Sequence, residues 1–173
     1  MASLLLCAMT PPLAAQQQRP ASDDFGTLNP DDAGREMLLR KIEMGVRDTV
    51  TCSLAFNSTK YDDHASARLT ARVCAEAGNT KAMTWMSYLD ANGIGGPVDA
   101  AAAAAWNRRA AEAGDPVGMF NHGLDLLRGS GVPQDSAAGR RLIDMAADQG
   151  LGTARELAEA DYNLRIVTPD AEE

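Results

Sequence analysis

Residue types that commonly carry chemistry are sparse in this sequence, and their spacing does not form a metal site. The histidines are His64 and His122, which lie 58 residues apart with no cysteine or second histidine at the spacing of a zinc site. We therefore expect no metal and no cofactor. Each histidine is interpreted as a surface or partly buried side chain.

Motifs for covalent or phosphate chemistry are also missing from the sequence. No serine lies in a nucleophile-elbow context, and no Ser-x-x-Lys motif occurs. The glycines at 93–96 lack the lysine of a phosphate-binding loop and follow a predicted helix instead of a strand, so they are interpreted as turn residues. Acidic residues are scattered, and no pair suited to acid–base catalysis stands out. The sequence predicts a protein that is not an enzyme.

Composition and charge narrow the classes of fold and partner. The chain has 173 residues, a formal net charge of −8 and 5% aromatic residues, and a chain of this length suits one domain with its own core. An acidic chain without a basic cluster is a poor partner for nucleic acid or an anionic membrane surface. Abundant alanine and few aromatic residues favour closely packed helices over a β-sandwich.

The N-terminal residues 1–15 resemble a signal peptide. An uncharged apolar stretch, Leu4 to Met9, is followed by the small residues Ala14 and Ala15 and then by a polar segment. We expect a periplasmic or secreted protein; the alternative is a cytoplasmic chain with a disordered N-terminus. The apolar stretch is far shorter than the roughly 20 residues that cross a bilayer, so we expect no stable membrane insertion.

Removal of residues 1–15 would leave a cysteine pair, Cys52 and Cys74. An even pair in an oxidising compartment favours a disulfide. The alternative is two buried, reduced cysteines that act as small apolar side chains.

A repeat of 36 residues organises the rest of the chain. The tetrapeptide at 75–78 returns at 111–114 and, in altered form, at 147–150. The stretches between these marks align without a gap, and the residues that agree are turn and capping types: Gly93 with Gly129, Gly95 with Gly131, Pro97 with Pro133, and Asp99 with Asp135. Self-similarity at a fixed period indicates stacked structural repeats.

Each unit is predicted to contain two helices. The full units are 79–114 and 115–150, with first helices near 80–92 and 116–128 and second helices that begin after Asp99 and Asp135. Short glycine-rich linkers make the paired helices antiparallel neighbours. The alanine run 100–105 is expected to allow a neighbouring helix to approach closely.

The flanking segments are interpreted as degenerate or terminal units. Residues 31–62 are expected to hold N-terminal helices, and 63–77 the second helix of an earlier degenerate unit, so that the repeat region covers 63–165. Residues 151–165 are expected to form a capping helix. The segments 16–30 and 166–173 are predicted to be disordered.

Two motifs resemble the Sel1-like repeat, a relative of the tetratricopeptide repeat: Gly129-x-Gly131-Val132-Pro133-x-Asp135 and Asp99-x3-Ala103-x2-Trp106-x3-Ala110-Ala111-Glu112-x-Gly114. The resemblance implies an all-α fold, a right-handed α-solenoid of antiparallel helix pairs, with Trp106 as a core aromatic residue. It also implies a scaffold or adaptor role. Cys52 and Cys74 are similar to cysteine pairs that bridge the two helices of a unit in exported members of the family.

If the solenoid analogy holds, the first helices line its concave face. Helical spacing then presents two rows there, Lys81, Thr84, Tyr88 and Ala91 from one unit and Val117, Phe120, Leu124 and Leu127 from the next. The second row is apolar, and exposed apolar rows mark partner surfaces. The alternative is that the terminal helix buries this row.

The sequence thus predicts a monomeric, non-catalytic scaffold of the bacterial envelope that binds a partner protein or peptide on its concave face. One alternative is a β-lactamase-like enzyme that acts on the cell wall. Another is a purely structural spacer.

Overall fold

A computed structural model describes residues 30–48, 50–52 and 64–167 of the chain, with the side chains of 30–35 and 38 left out. The predicted signal peptide 1–15, nearly all of the predicted linker 16–30, and residues 168–173 of the predicted tail lie outside the described residues. Most of the segment expected to carry the first helix of the degenerate unit lies outside them as well.

Helices account for the described fold, and no strand occurs in the described residues. They are α1 (Pro30–Glu43), α2 (His64–Glu76), α3 (Thr80–Asn92), α4 (Ala100–Glu112), α5 (Pro116–Arg128), α6 (Ser136–Asp148) and α7 (Gly152–Glu159), followed by a 3-10 turn at Leu164–Val167. Residues 50–52 are also helical. From α2 onwards each helix packs chiefly on the next one in the chain, which confirms the predicted all-α class.

Aspartate and asparagine side chains fix the starts of the central helices. Asp99, Asp115 and Asp135 each accept a backbone N–H three residues ahead at 2.9 Å, and Asn79 does the same at 3.0 Å. Each such cap stabilises by about 1 kcal/mol. The Asp-to-Asp spacing that marks the repeat in the sequence is therefore a spacing of helix N-termini.

Glycine ends the first helix of each unit and also permits the next close contact. Gly93 and Gly129 adopt left-handed conformations with φ of 68° and close α3 and α5. Two residues later, Gly131 lies so close to the Ala100 carbonyl that a Cβ atom would collide with it, and Gly95 has the same relation to His64. His64 starts α2, and Ala100 starts α4 one repeat later. Helix α2 therefore occupies the place of a second helix in an earlier unit.

Buried side chains divide into two clusters along the solenoid. The first core is formed by residues of α1, residues 50–52, α2, α3 and the end of α4, with Met86 and Leu89 fully buried at its centre. The second core is formed by α5, α6 and α7, with Ile143 and Leu157 fully buried. Two separate cores along one axis are expected where each repeat contacts only its neighbours.

The N-terminal part of the first core is held by a disulfide and an ion pair. Cys52 and Cys74 are bonded, with their Cα atoms 5.7 Å apart, which confirms the predicted bridge. The Arg68 guanidinium pairs with Asp90, whose side chain is 3% exposed, and also donates to the Ile94 carbonyl at 3.1 Å. These contacts attach residues 50–52 to α2 and attach α2 to α3.

The C-terminal unit differs from the single capping helix expected over 151–165. Helix α7 ends at Glu159, because Asp161 and Tyr162 adopt positive φ angles of 50° and 58°. The Tyr162 hydroxyl then donates to the Asp144 carboxylate at 2.5 Å, and the Arg140 guanidinium lies 4.7 Å above its ring. The chain therefore turns back onto the second core, which the 3-10 turn helps to cover.

Candidate interaction groove between the repeats

An open groove lies where the two full repeats meet, and we call it the central groove. It encloses about 380 Å³, within the roughly 300–1,000 Å³ typical of ligand sites. Helices α3, α4 and α5 and the turn after α5 line it. The lining residues are Thr84, Ser87, Tyr88, Ala91, Asn92, Ala100, Ala103, Asn107, Asn121, Leu124, Asp125, Arg128 and Ser130.

The shape of the central groove follows from how the first helices are spaced. At their N-terminal ends α3 and α5 are tied together, because the Thr80 hydroxyl donates to the Asp115 carboxylate at 2.8 Å. Towards their C-terminal ends the two helices become the walls. The floor between them is α4, which contributes the small side chains of Ala100 and Ala103. The alanine run thus leaves room in front of α4 as well as allowing close helix packing.

Asn107 is the polar residue at the floor. It is 4% exposed, and its Nδ2 donates to Oδ2 of Asp125 at 2.9 Å. A carboxylate only accepts, so this contact sets which way the carboxamide faces. Its Oδ1 is then left buried without a hydrogen bond among the described residues, an arrangement that is unusual in native proteins and points to a role beyond packing.

Asp125 places a carboxylate beside this floor. Its side chain is 17% exposed, and its Oδ2 lies 3.9 Å from Nδ1 of His122. His122 is itself buried, deeper than the sequence interpretation allowed, and its Nδ1 makes no hydrogen bond in the described part of the chain. Asn107, Asp125 and His122 therefore form a polar cluster between α4 and α5, at the boundary between the two cores.

Tyr88 provides an aromatic surface on the opposite wall. Its ring is 48% exposed and stacks on Trp85, with ring centroids 4.9 Å apart and planes at 15°. A ring held in this way loses little freedom when a ligand packs on it. The α3 wall thus combines one fixed aromatic face with the hydroxyl groups of Thr84 and Ser87.

The structure brings some of the predicted contact residues together and separates others. Thr84, Tyr88, Ala91 and Leu124 line the central groove. Lys81 is exposed on α3, and Val117 is 42% exposed at the start of α5, but neither lines the groove.

The apolar row predicted on α5 is mostly core. Leu124 and Leu127 are each 8% exposed, and Phe120 packs against the second core as a partly buried residue. The reason is that α5 turns this stripe towards α6 and α7, whose Ile143 and Leu157 pack with it. These residues are therefore mostly buried in the second core and do not form an exposed partner surface.

Sequence reasoning missed Asn107, Asp125 and Asn121, which are among the polar residues that line the central groove. A signal for Asn107 was present, because the aligned residue one repeat later is Ile143. A polar residue at a position that the next unit fills with a core side chain is a departure from the repeat pattern. Asn121 carries a comparable signal, because the aligned residue one repeat later is Leu157.

Other predicted features fall away from the groove. His64 is exposed, and Trp106 is partly buried against the first core with the Arg109 guanidinium 4.4 Å above its ring. Over the residues that the structure describes, no group of three potential metal ligands comes together.

None of the described helices has both the length and the apolar character needed to cross a bilayer.

Comparison with known families identifies the repeat. The family described as Sel1 repeat matches residues 80–115 and 116–151, close to the units that the sequence predicts. A search of curated protein sequences finds no significant match.

Solved structures with the same architecture include two proteins that this chain matches over nearly their whole length. One is a Sel1 repeat protein from Oxalobacter formigenes, with 25% identity, a TM-score of 0.63, and coverage of 72% of this chain and 96% of that one. The other is cysteine rich protein B of Helicobacter pylori, with 15% identity, a TM-score of 0.61, and coverage of 75% and 97%.

A third similar structure is a protective antigen of uropathogenic Escherichia coli with an SLR fold, at 24% identity and a TM-score of 0.56. The match covers 82% of this chain but 27% of the antigen. With these solenoids as structural neighbours, the helices form a right-handed α-solenoid of antiparallel pairs. Two tandem Sel1 repeats occupy residues 80–151, and the chain is similar to Sel1 repeat proteins in both repeat sequence and fold.

Proposed function

We propose that this chain is a non-catalytic interaction scaffold that binds an extended peptide segment of a partner protein in the central groove. The observation that carries the proposal is an open groove of about 380 Å³ between the repeats, lined by polar side chains and by the half-exposed Tyr88. Sel1-repeat folds commonly serve as protein–protein interaction scaffolds, which supports the same function class.

The dimensions of the groove favour a peptide over a folded domain. A volume of about 380 Å³ accommodates a few residues, whereas a stable interface between folded proteins buries about 800 Å² on each partner. An extended peptide supplies backbone N–H groups along its length, and such groups pair with the polar side chains on both walls. We therefore expect one chain to bind one peptide, without self-association.

Export to the bacterial envelope belongs to the same proposal. Residues 1–15 have the composition of a signal peptide. The Cys52–Cys74 disulfide supports an oxidising compartment, where such bonds persist. A cysteine-rich protein of H. pylori has the same fold, which agrees with this location.

Selection of peptides tests the proposed function. A random peptide library displayed on phage is panned against residues 16–173, and the dissociation constant of the best peptide is measured by fluorescence anisotropy. Ala100→Phe fills the groove from its floor. Ala101→Phe adds the same side chain on a neighbouring exposed residue of α4 that does not line the groove.

The proposal expects Ala100→Phe to weaken binding by at least about tenfold, which corresponds to about 1.4 kcal/mol, and Ala101→Phe to leave it unchanged. Equal binding by both variants would place the interaction elsewhere. Failure to select any peptide would favour the structural spacer. Hydrolysis of a chromogenic β-lactam or of peptidoglycan by the purified protein would favour the enzyme.

A further inference from the structure

Two polar side chains on the α3 wall donate into the protein and keep oxygens that can still accept. The Thr84 hydroxyl donates to the carbonyl three residues earlier at 3.0 Å, and Asn92 Nδ2 donates to the carbonyl four residues earlier at 2.8 Å. Both residues line the central groove. This wall therefore offers acceptors to a ligand that carries N–H groups.

The carboxamide at the floor of the groove is oriented by Asp125. Asn107 Nδ2 donates to the Asp125 carboxylate, and Oδ1 of Asn107 is buried and has no hydrogen bond among the described residues. Because this oxygen is closed to solvent, the accessible acceptor beside it is the Asp125 carboxylate, which also lines the groove. Reversing the carboxamide would bring its oxygen against the Asp125 carboxylate, which also only accepts.

A negative charge lies next to this carboxamide. The ion-pairing contact of Asp125 within the described residues is with Nδ1 of His122 at 3.9 Å, and that contact needs a protonated imidazole. With a neutral imidazole the carboxylate keeps its negative charge while it accepts from the Asn107 amide. The chain as a whole carries −8, so its field also attracts cations.

The aromatic wall suits the same ligand chemistry. The half-exposed Tyr88 ring, stacked on Trp85, lines the groove across from Asp125. Aromatic faces attract ammonium and guanidinium groups. The Asp125 carboxylate and the Tyr88 face together favour a cationic side chain.

We propose that the central groove selects a lysine or arginine side chain on the peptide that it binds, an inference that rests on the proposed function. A glutamate would face the Asp125 carboxylate, and an apolar side chain would leave that carboxylate without a positive partner, so both are rejected. Among the residues that the structure describes, one carboxylate lines the groove, so the preference is for one cationic residue within a short segment.

Three synthetic peptides test the selectivity directly. They share the acetylated and amidated sequence Gly-Ser-X-Ser-Gly, with lysine, norleucine or glutamate at X, so that the lysine and norleucine peptides differ chiefly by the ammonium group. Binding to residues 16–173 is followed by chemical-shift changes of the side-chain NH2 groups of Asn107 and Asn121. The variant Asp125→Asn removes the charge, and Asp148→Asn removes an equal charge at an exposed residue outside the groove.

The lysine peptide is expected to bind at least about tenfold more tightly than the norleucine peptide, and glutamate is expected to bind more weakly still. Asp125→Asn reduces the preference to less than about threefold, while Asp148→Asn preserves it. In the unchanged protein the preference shrinks as salt is raised, a readout that does not depend on the folding of any variant.

Equal binding of the lysine and norleucine peptides, tighter binding of glutamate, or no detectable binding of the lysine peptide overturns the inference. So does an unchanged preference in a folded Asp125→Asn variant. These outcomes are separable from the proposed function. If a phage-selected peptide without lysine or arginine binds and is displaced by Ala100→Phe, the interaction groove stands and its cation preference is wrong.

Discussion

The two full repeats have the same backbone plan but use corresponding positions for opposite purposes. In the first unit these positions are small or polar and line the central groove. One repeat later they are occupied by glycine or by a buried apolar residue of the second core: Ser87 corresponds to Gly123, Ala103 to Gly139, and Asn107 to Ile143. The difference shows that the repeat motif fixes the helices and leaves these positions to decide between a groove and a core.

Close helix contact explains how the second unit is filled. Gly123 and Gly139 face each other so tightly that a Cβ atom on Gly139 would lie 2.8 Å from the Gly123 carbonyl oxygen. Their counterparts in the first unit, Ser87 and Ala103, carry side chains. Glycine at a helix crossing costs helix propensity but permits close packing, which the second unit uses to cover its core near the C-terminal end of the described chain.

The largest effect on stability is expected when asparagine, the residue at position 107 of the groove, is placed at the corresponding position 143 of the second core. Ile143→Asn places a polar carboxamide where the side chain is fully buried among Leu127 and Leu157. Lost apolar burial and an unpaired polar group together should lower the free energy of unfolding by about 4 kcal/mol. Urea unfolding followed by circular dichroism measures the loss. A change below about 1 kcal/mol would mean that the second core is much looser than its burial indicates.

The disulfide is expected to distinguish the two cores. It links residues 22 apart, and loss of such a bridge should destabilise by about 3 kcal/mol. Because the bond lies in the first core, the paired variant Cys52→Ala with Cys74→Ala should lose hydrogen-exchange protection in α2 and α3 before α6. Equal loss of protection in α6 would show that the two cores unfold as one unit.

The reverse substitution places the residue of the second repeat in the first, and it is expected to raise stability while it weakens peptide binding. Asn107→Ile installs the residue of the second repeat and removes the unpaired floor acceptor. Asp125 loses one donor but is 17% exposed and can be hydrated, so stability should rise by about 1 kcal/mol. Binding of a selected peptide should fall by at least about tenfold. Improved stability with unchanged binding would show that Asn107 does not contribute to peptide binding.

The smallest effect is expected at the C-terminal turn. The hydrogen bond from Tyr162 to Asp144 raises the pKa of the phenol above its usual value, mainly because the carboxylate accepts the proton that would be lost. Its stabilising contribution is therefore complete below the unfolded pKa near 10 and is lost as pH rises through the folded pKa. Tyr162→Phe should cost about 0.5 kcal/mol near neutral pH.

Absorbance titration of the phenols provides the check. Tyr162 should ionise at higher pH than a tyrosine in the urea-unfolded chain, and Asp144→Asn should shift it back. An unshifted titration would mean that the turn does not form in solution, which would leave that side of the second core uncovered.

Much of the fold is predictable from the sequence because it depends on local rules. Asp99 and Asp135 cap helices through contacts three residues ahead, and Gly93 and Gly129 end them through their left-handed conformation. These features recur at a fixed interval and are visible without coordinates. The Cys52–Cys74 bridge was also predictable, because removal of the predicted signal peptide would leave one cysteine pair.

The site was less predictable because it depends on how three helices meet. Helical spacing identified Thr84 and Tyr88 on the groove wall but not Asn107, which lies on a second helix. Spacing alone also could not show that α6 and α7 bury Leu124 and Leu127. The early end of α7 escaped prediction for a related reason, since non-glycine residues at 161 and 162 adopt positive φ.

Intermolecular NOEs between a selected peptide and the methyl groups of this chain test the central claim most directly. With the peptide bound, we expect NOEs to the methyl groups of Thr84, Ala100 and Ala103, which line the central groove. NOEs confined to exposed apolar residues elsewhere, such as Met145 and Ile166, would contradict the assignment of binding to the groove between the repeats.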